Sequence, residues 1–230
     1  MSFVRDSQFG VPSLGAHGSN FQIDTLGTTP STVALATTRA AGSTIIVGAW
    51  YNPVDSPSAP TDNKGNTYTQ FLTISGYAGG LYAPMTAAFF SATNALGGLG
   101  HTTSIGKNTP TKEISQVTFE VQGAKTIQST SIVNPAAAGA GVAASSGNVT
   151  TTGPALLISM WGGDGSASVT DQSAVPSAGW QMIEYLFLGL TSYIQVACAT
   201  RYVQAAGTYS LTWTPVANQG AIIALIAMQA

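Results

Sequence analysis

Residues 43–71 read STIIVGAWYNPVDSPSAPTDNKGNTYTQF, and their plan recurs later in the chain. Ile45-Ile46-Val47-Gly48-Ala49-Trp50 is a short, β-branched apolar run that suits a buried strand better than a helix. A loop with three prolines follows, then Thr61-Asp62, a glycine and an aromatic strand start at Tyr68. Leu156-Leu157-Ile158-Ser159-Met160-Trp161 repeats the run, with Thr170-Asp171, Gly179 and Trp180 behind it. The spacings agree closely, 161 − 50 = 111 against 170 − 61 = 109. A repeated plan in a chain of strand signals predicts an all-β fold: an antiparallel two-sheet sandwich, jelly-roll-like, with two similar halves.

Outward from that stretch the strand signals continue. Residues 31–38, 67–74, 86–92 and 114–122 read as strands in the first half, with 94–100 as a loop. Residues 155–161, 179–188, 191–202, 207–214 and 220–229 do so in the second. The last of these is apolar on both faces, which predicts a central strand or an interface strand. Residues 135–147, rich in alanine and glycine, are expected to join halves at about 31–134 and 147–230 of a single domain, 31–230. Residues 1–30 carry eight large apolar side chains without period, among glycines and prolines. They read as an extended N-terminal arm that needs a surface to lie on.

Only 7% of the 230 residues are charged, against roughly 25% in ordinary globular proteins. A net charge of −2 gives no footprint for nucleic acid or an anionic membrane. No run approaches the ~18 apolar residues of a spanning helix, so membrane insertion is not expected. A chain that relies on Ser, Thr, Asn and Gln at its surface repels its neighbours little, which suits an assembly. Cys198, the single cysteine, lies in a strand-like run and reads as a buried, inert thiol. The first residues lack the basic start and apolar core of a signal peptide, so a protein that works outside a cell is expected to leave by lysis or a signal-independent route.

Thr61-Asp62-Asn63-Lys64-Gly65-Asn66-Thr67-Tyr68 resembles the Asp-x-x-Gly-Asn-x-Tyr turn of uncharacterised β-sandwich modules in bacterial surface and phage proteins. In those modules an apolar strand precedes the turn, as Ile45–Trp50 does here. A late Ala-Gly-Thr-Tyr segment leads a Thr/Trp strand, as Ala206-Gly207-Thr208-Tyr209 leads Ser210–Thr214. The resemblance spans residues 31–230 and implies a sandwich fold.

Catalytic signals are sparse. Glu113 and Glu120 have opposite parity on one strand and read as a surface pair rather than the carboxylate pair of a glycosidase. His17 in the arm and His101 in a loop have no triad partners in sequence and read as solvated histidines. No enzyme is expected. Calcium is the one cofactor considered, with Asp55, Asp62, Asn63 and Asn66, or Asp164 and Asp171, as oxygen ligands. The competing reading, that Asp62 and Asn63 cap a hairpin turn before Gly65, is preferred. A glycan could stack on Tyr77, Tyr82 or Trp180 with Asp164 holding its hydroxyls; Trp50, Trp161 and Trp213 sit in apolar strands and read as core. The expectation is a non-enzymatic structural virion protein of a bacteriophage: a decoration, fibre or tail-associated sandwich, virion-bound or extracellular. Its partners would be copies of itself, through the arm, or other virion proteins. The alternative is a carbohydrate-binding or adhesin module.

Overall fold

Along Ser31–Thr37 side chains alternate between buried and exposed, with Val33 and Leu35 inward, so the strand is wet on one face. Gly220–Gln229 is buried on both faces over nearly its whole length, as its apolar sequence requires of a central strand. The computed structural model describes residues 11–22, 27–52, 55–75, 85–109, 113–134, 141–164, 173–186, 194–216 and 219–230. Among these every regular element is a strand. In chain order they are β1 (Ser13–Gln22), β2 (Ser31–Thr37), β3 (Ala41–Asn52), β4 (Thr61–Asp62), β5 (Thr69–Ser75), β6 (Thr86–Leu96), β7 (Leu99–Ile105) and β8 (Glu113–Gln122). Then follow β9 (Thr126–Val133), β10 (Ala144–Ser145), β11 (Val149–Thr151), β12 (Ala155–Asp164), β13 (Ala174–Pro176), β14 (Gln181–Leu186), β15 (Gln195–Val203), β16 (Gly207–Tyr209), β17 (Thr212–Pro215) and β18 (Gly220–Gln229).

All pairings are antiparallel. A large sheet runs β1-β8-β3-β6-β5, with a small sheet β2-β7-β4 beside it. The second large sheet runs β14-β15-β12-β18-β9, with β10-β17-β13 and β11-β16 as its small sheets. Taking β10 with β11, and β16 with β17, as split counterparts of β2 and β7, the second half repeats the strand order of the first. The first strand lies beside the last and the second beside the seventh, a jelly-roll winding; here the fifth strand has moved to the edge of the large sheet. The fold is therefore all-β, with two similar halves.

The irregularities repeat as well. Register slips between Gln70 and Leu72 in β5, and again between Met182 and Glu184 in β14, so this pair is offset by 182 − 70 = 112. Carried through β6 and β15, that register aligns Ile46 of β3 with Ile158 of β12, and Trp50 with Gly162. The sequence alignment of Trp50 with Trp161 is one residue out, and one residue turns a side chain to the other face. Trp50 points between the two large sheets, with Ile46, Phe89, Phe119, Leu156, Ile158 and Met160. Trp161 points the other way, into the second half's own core beside Ala197, Trp213 and Ile223.

Three cores follow. One lies between the large sheets, drawing side chains from both halves. One fills the first half, around Val47, Tyr51, Tyr68 and Phe90. The third, in two patches, fills the second half around Trp213 and Leu225. Burial of each large apolar side chain contributes about 1.5–3 kcal/mol, so the shared core joins the halves firmly. At its margins β1 meets β14 and β5 meets β9. Since β1 corresponds to β9 and β5 to β14, the halves are related by an approximate two-fold axis running along the strands between β3 and β12. Asn52, Ser75, Glu113, Asp164 and Leu186 consequently end or begin their strands at one end of the molecule.

Several boundaries differ from the sequence reading. Residues 13–22, expected in an arm, are an edge strand of the first large sheet, paired with β8. The halves meet at Gly123–Lys125, where Gly123 has φ +76, and not within 134–147. The expected loop 94–100 contains the start of β7, and β9 was not foreseen, because its Ser/Thr-rich sequence carries little apolar alternation.

Candidate functional site

The densest polar constellation is built on Asp62, at the end of β4. Its Oδ1 accepts from the backbone N–H groups of Lys64 and Asn66, both at 3.0 Å. Its Oδ2 accepts from Asn66 Nδ2 at 2.7 Å, Tyr68 OH at 2.8 Å and His101 Nε2 at 3.1 Å. Asx geometry of this kind is what Asp-x-x-Gly-Asn encodes locally, with Gly65 at φ +79. The turn leads from β4 in the small sheet to β5 in the large one, so it is a corner between sheets and not the hairpin expected. Asn63 and Asn66 fasten it to the β6–β7 connection, through Thr102 N–H, Gly100 O and Leu96 N–H. Burial alone would raise the Asp62 carboxyl, but bonds from Asn66, His101 and Tyr68 outweigh it and bring its pKa to about 2.

His101 extends the network: its Nδ1 lies 3.1 Å from Thr38 Oγ1. In the neutral ring, with Nε2–H donated to the carboxylate, Nδ1 is left to accept from the threonine hydroxyl. Asp, His and Thr in sequence suggest a nucleophilic relay. Here, however, the histidine and aspartate side chains are shielded from solvent, and Thr38 Oγ1 also accepts the Gly98 N–H at 3.0 Å. This chain of bonds ties corners together. It corrects the reading of His101 as a solvated loop residue: it is a fully buried residue of β7.

Glu113 and Glu120, expected on the surface, are both buried. Glu120 Oε1 accepts from Arg39 N–H and Ser43 Oγ, each at 2.7 Å, and Oε2 from Ala16 N–H at 3.2 Å and Gln122 Nε2 at 3.1 Å. Burial pushes this carboxyl up, yet the bonds from Ser43, Arg39, Gln122 and Ala16 leave it below the ordinary range. A Cβ on Gly15 would stand 2.2 Å from Oε2, so the slip in β1 between Leu14 and His17 needs a glycine there. Glu113 Oε1 accepts the Ile194 N–H at 3.2 Å, and Ser115 Oγ donates to Ile194 O at 2.6 Å, clasping the second half to the first. On the same side, at the margin where β1 meets β14, His17 Nδ1 lies 2.5 Å from Glu184 Oε1, and Ser19 Oγ donates to Oε2 at 2.9 Å. His17 is thus a strand residue in a bridge between halves and not a solvated arm residue.

No protein-family model, curated protein or solved structure matches this chain. Its chemistry must be read from its own residues. Of the four positions singled out for glycan binding, Tyr77 and Tyr82 lie outside the described residues. Asp164 is the last residue of β12. Trp180 is half-buried and packs against both patches of the second half's core. For calcium, the oxygens of Asp62 are taken up by five donors, and a cation would have to displace N–H and O–H groups. Asp55 likewise accepts from the N–H groups of Ser56 and Asn108; Asp171 lies outside the described residues. Among the described residues no three His, Cys, Asp or Glu side chains converge on one point. Cys198 is fully buried, and burial, with the charge of Glu184, pushes its thiol well up. Two shallow clefts, of about 320 and 360 Å³, lie near the junction of the halves, lined by Gln128, Thr152 and Gln229 and by Thr93, Asn94 and Lys125.

Nothing in the order of residues marks Glu120, Glu113 or His101 as buried. The one available signal was parity, since Glu120 shares its face of β8 with Thr118 and Gln116, both buried under the small sheet.

Proposed function

We propose that this chain is a non-enzymatic structural protein of a virion, a sandwich subunit that works by holding copies of itself or other particle proteins. The observation that carries this reading is where the few charges go. Glu120, Glu113, Lys107 and His101 are all buried, and the Asp62 side chain is shielded. Asp62 and Glu120 serve as joints between strands, and among the described residues Arg39, Lys125 and Arg201 are the charged side chains left exposed. So sparsely charged a skin opposes close approach of copies weakly. With residues 13–22 held in their own sheet, the contact between copies is sought on the sandwich. The resemblance of the Asp62–Tyr68 turn to modules of phage and bacterial surface proteins points the same way. Mass spectrometry of purified particles tests the reading. A fixed copy number per particle is expected; absence from particles, with a monomeric mass in solution, overturns it.

A carbohydrate-binding or adhesin module is the second reading. It is favoured by Ser75 and Asp164 ending β5 and β12 at the same end of the molecule, together with the Tyr77 and Tyr82 that the sequence singles out. Binding to defined glycans on an array, lost in Tyr77→Ala and Tyr82→Ala, would establish it in place of the first.

A further inference from the structure

An antiparallel sheet edge presents unpaired N–H and C=O groups, and proteins blunt such edges with charge, proline, bulges, short strands or cover. The two large sheets have four outer edges. On β1 the Leu14 and Ala16 N–H groups are taken by Tyr202 OH and Glu120. β9 is covered by the β11 segment: Thr150 N–H donates to Ser129 Oγ, and Gln128 and Thr152 bond one another in both directions. β14 carries Glu184, bonded back to β1. β5 is different. Its seven residues, Thr69-Gln70-Phe71-Leu72-Thr73-Ile74-Ser75, include no charge and no proline, and among the described residues no strand lies on its outer side. Gln70, Thr73 and Ser75 are exposed, while Phe71, Leu72 and Ile74 pack against the shared core. The slip at Phe71 bulges one end of the strand, and beyond it Leu72–Ser75 run in unbroken register with β6.

We propose that β5 is a docking edge for β5 of a second copy, the two pairing antiparallel about a two-fold axis so that two five-stranded sheets become one of ten. Self-pairing asks only that the strand tolerate its own side chains in reverse order. An all-neutral Thr, Gln and Ser edge does so, whereas a lysine or glutamate at the axis would face its own copy directly. A chain of net charge −2 adds little repulsion at longer range. This inference rests on the assembly reading above and names the surface that performs it.

Sedimentation velocity of the full chain and of the double variant Gln70→Lys, Ser75→Lys tests it, with circular dichroism and melting to show that the variant folds. The expected result is a dimer for the natural chain and half that mass for the variant. An oligomer unmoved by the two lysines overturns β5 as the contact while leaving the assembly reading standing. A natural chain that is monomeric at high concentration, and that joins no particle, overturns both. Amide hydrogen exchange provides a readout that needs no variant. Protection of 69–75 should rise with protein concentration; protection independent of concentration overturns the proposal.

Discussion

Trp50 and Gly162 occupy equivalent positions in the two halves and touch across the approximate two-fold axis. The Trp50 indole lies over Gly162, where a Cβ would stand 2.2 Å from Nε1, and Nε1 donates to Ile222 O at 3.3 Å. A symmetric pair of tryptophans would collide there, and a symmetric pair of glycines would leave a void. The duplicated fold therefore fills its axis with one large and one absent side chain. Gly162→Ala should destabilise the protein by about 1–3 kcal/mol through overpacking, measured by urea unfolding. Trp50→Phe introduced beside it should recover part of that loss; a double variant no better than Gly162→Ala alone would show that the strain lies elsewhere.

Acid should weaken the fold through Asp62. Its carboxyl is held at about 2 in the folded protein, against an ordinary 3.8, so its stabilisation is complete above about pH 4 and fades as pH falls toward 2. The contribution is about 2 kcal/mol. The stability gap between the natural protein and Asp62→Asn, measured by urea unfolding, should narrow steadily from pH 5 to pH 2. A gap that does not change with pH would mean the turn does not depend on the ionised form.

The corner at Gly65 makes a single demand. Nothing stands within 4 Å of a Cβ placed there, so its φ of +79 is the whole constraint. Gly65→Val should cost about 1–3 kcal/mol in backbone strain, read as a lower melting temperature. A chelator should leave the melting temperature of the natural protein unchanged, because the oxygens of Asp62 are occupied by donors; a chelator-induced fall would revive the calcium reading.

The bridge between halves can be measured by a double-mutant cycle on His17→Ala and Glu184→Gln. Side chains in one partly buried network couple by about 0.5–3 kcal/mol. A coupling in that range is expected in urea unfolding at neutral pH. Strict additivity would show that the contact between β1 and β14 is held by packing alone.

Glu120 joins three segments, at Ala16, Arg39 and Ser43. Glu120→Ala leaves the buried Ser43 hydroxyl and the part-buried N–H groups of Ala16 and Arg39 without their acceptor, at about 1–3 kcal/mol for a fully buried group left unmet and less for the others. Thermal unfolding should show a larger loss than for Glu184→Ala, whose side chain is nearer solvent. The reverse order would contradict the assignment of Glu120 as the joint.

Local patterns were enough to reveal strand after strand, the duplicated plan and the Asp62–Tyr68 turn. Ile45–Tyr51, Leu156–Trp161 and Ala221–Met228 are apolar at both parities, and only a strand covered on both faces accommodates that. The turn was legible because Asp, Gly and Asn at those spacings satisfy their own backbone. Other features turn on contacts far apart in sequence. The offset between halves could not be settled from two tryptophans, since a slip of one residue inverts every side chain and only the ladder of partners reveals it. Glu120, Glu113, His101 and His17 look solvated when read along the chain, because polar residues usually are. They became joints when residues 39 to 167 positions away supplied donors or acceptors that burial would otherwise leave unmet. Local sequence thus determined what each segment could be. Tertiary structure decided which face it turned inward and which polar groups it met there, because both depend on partners that chain order does not place side by side.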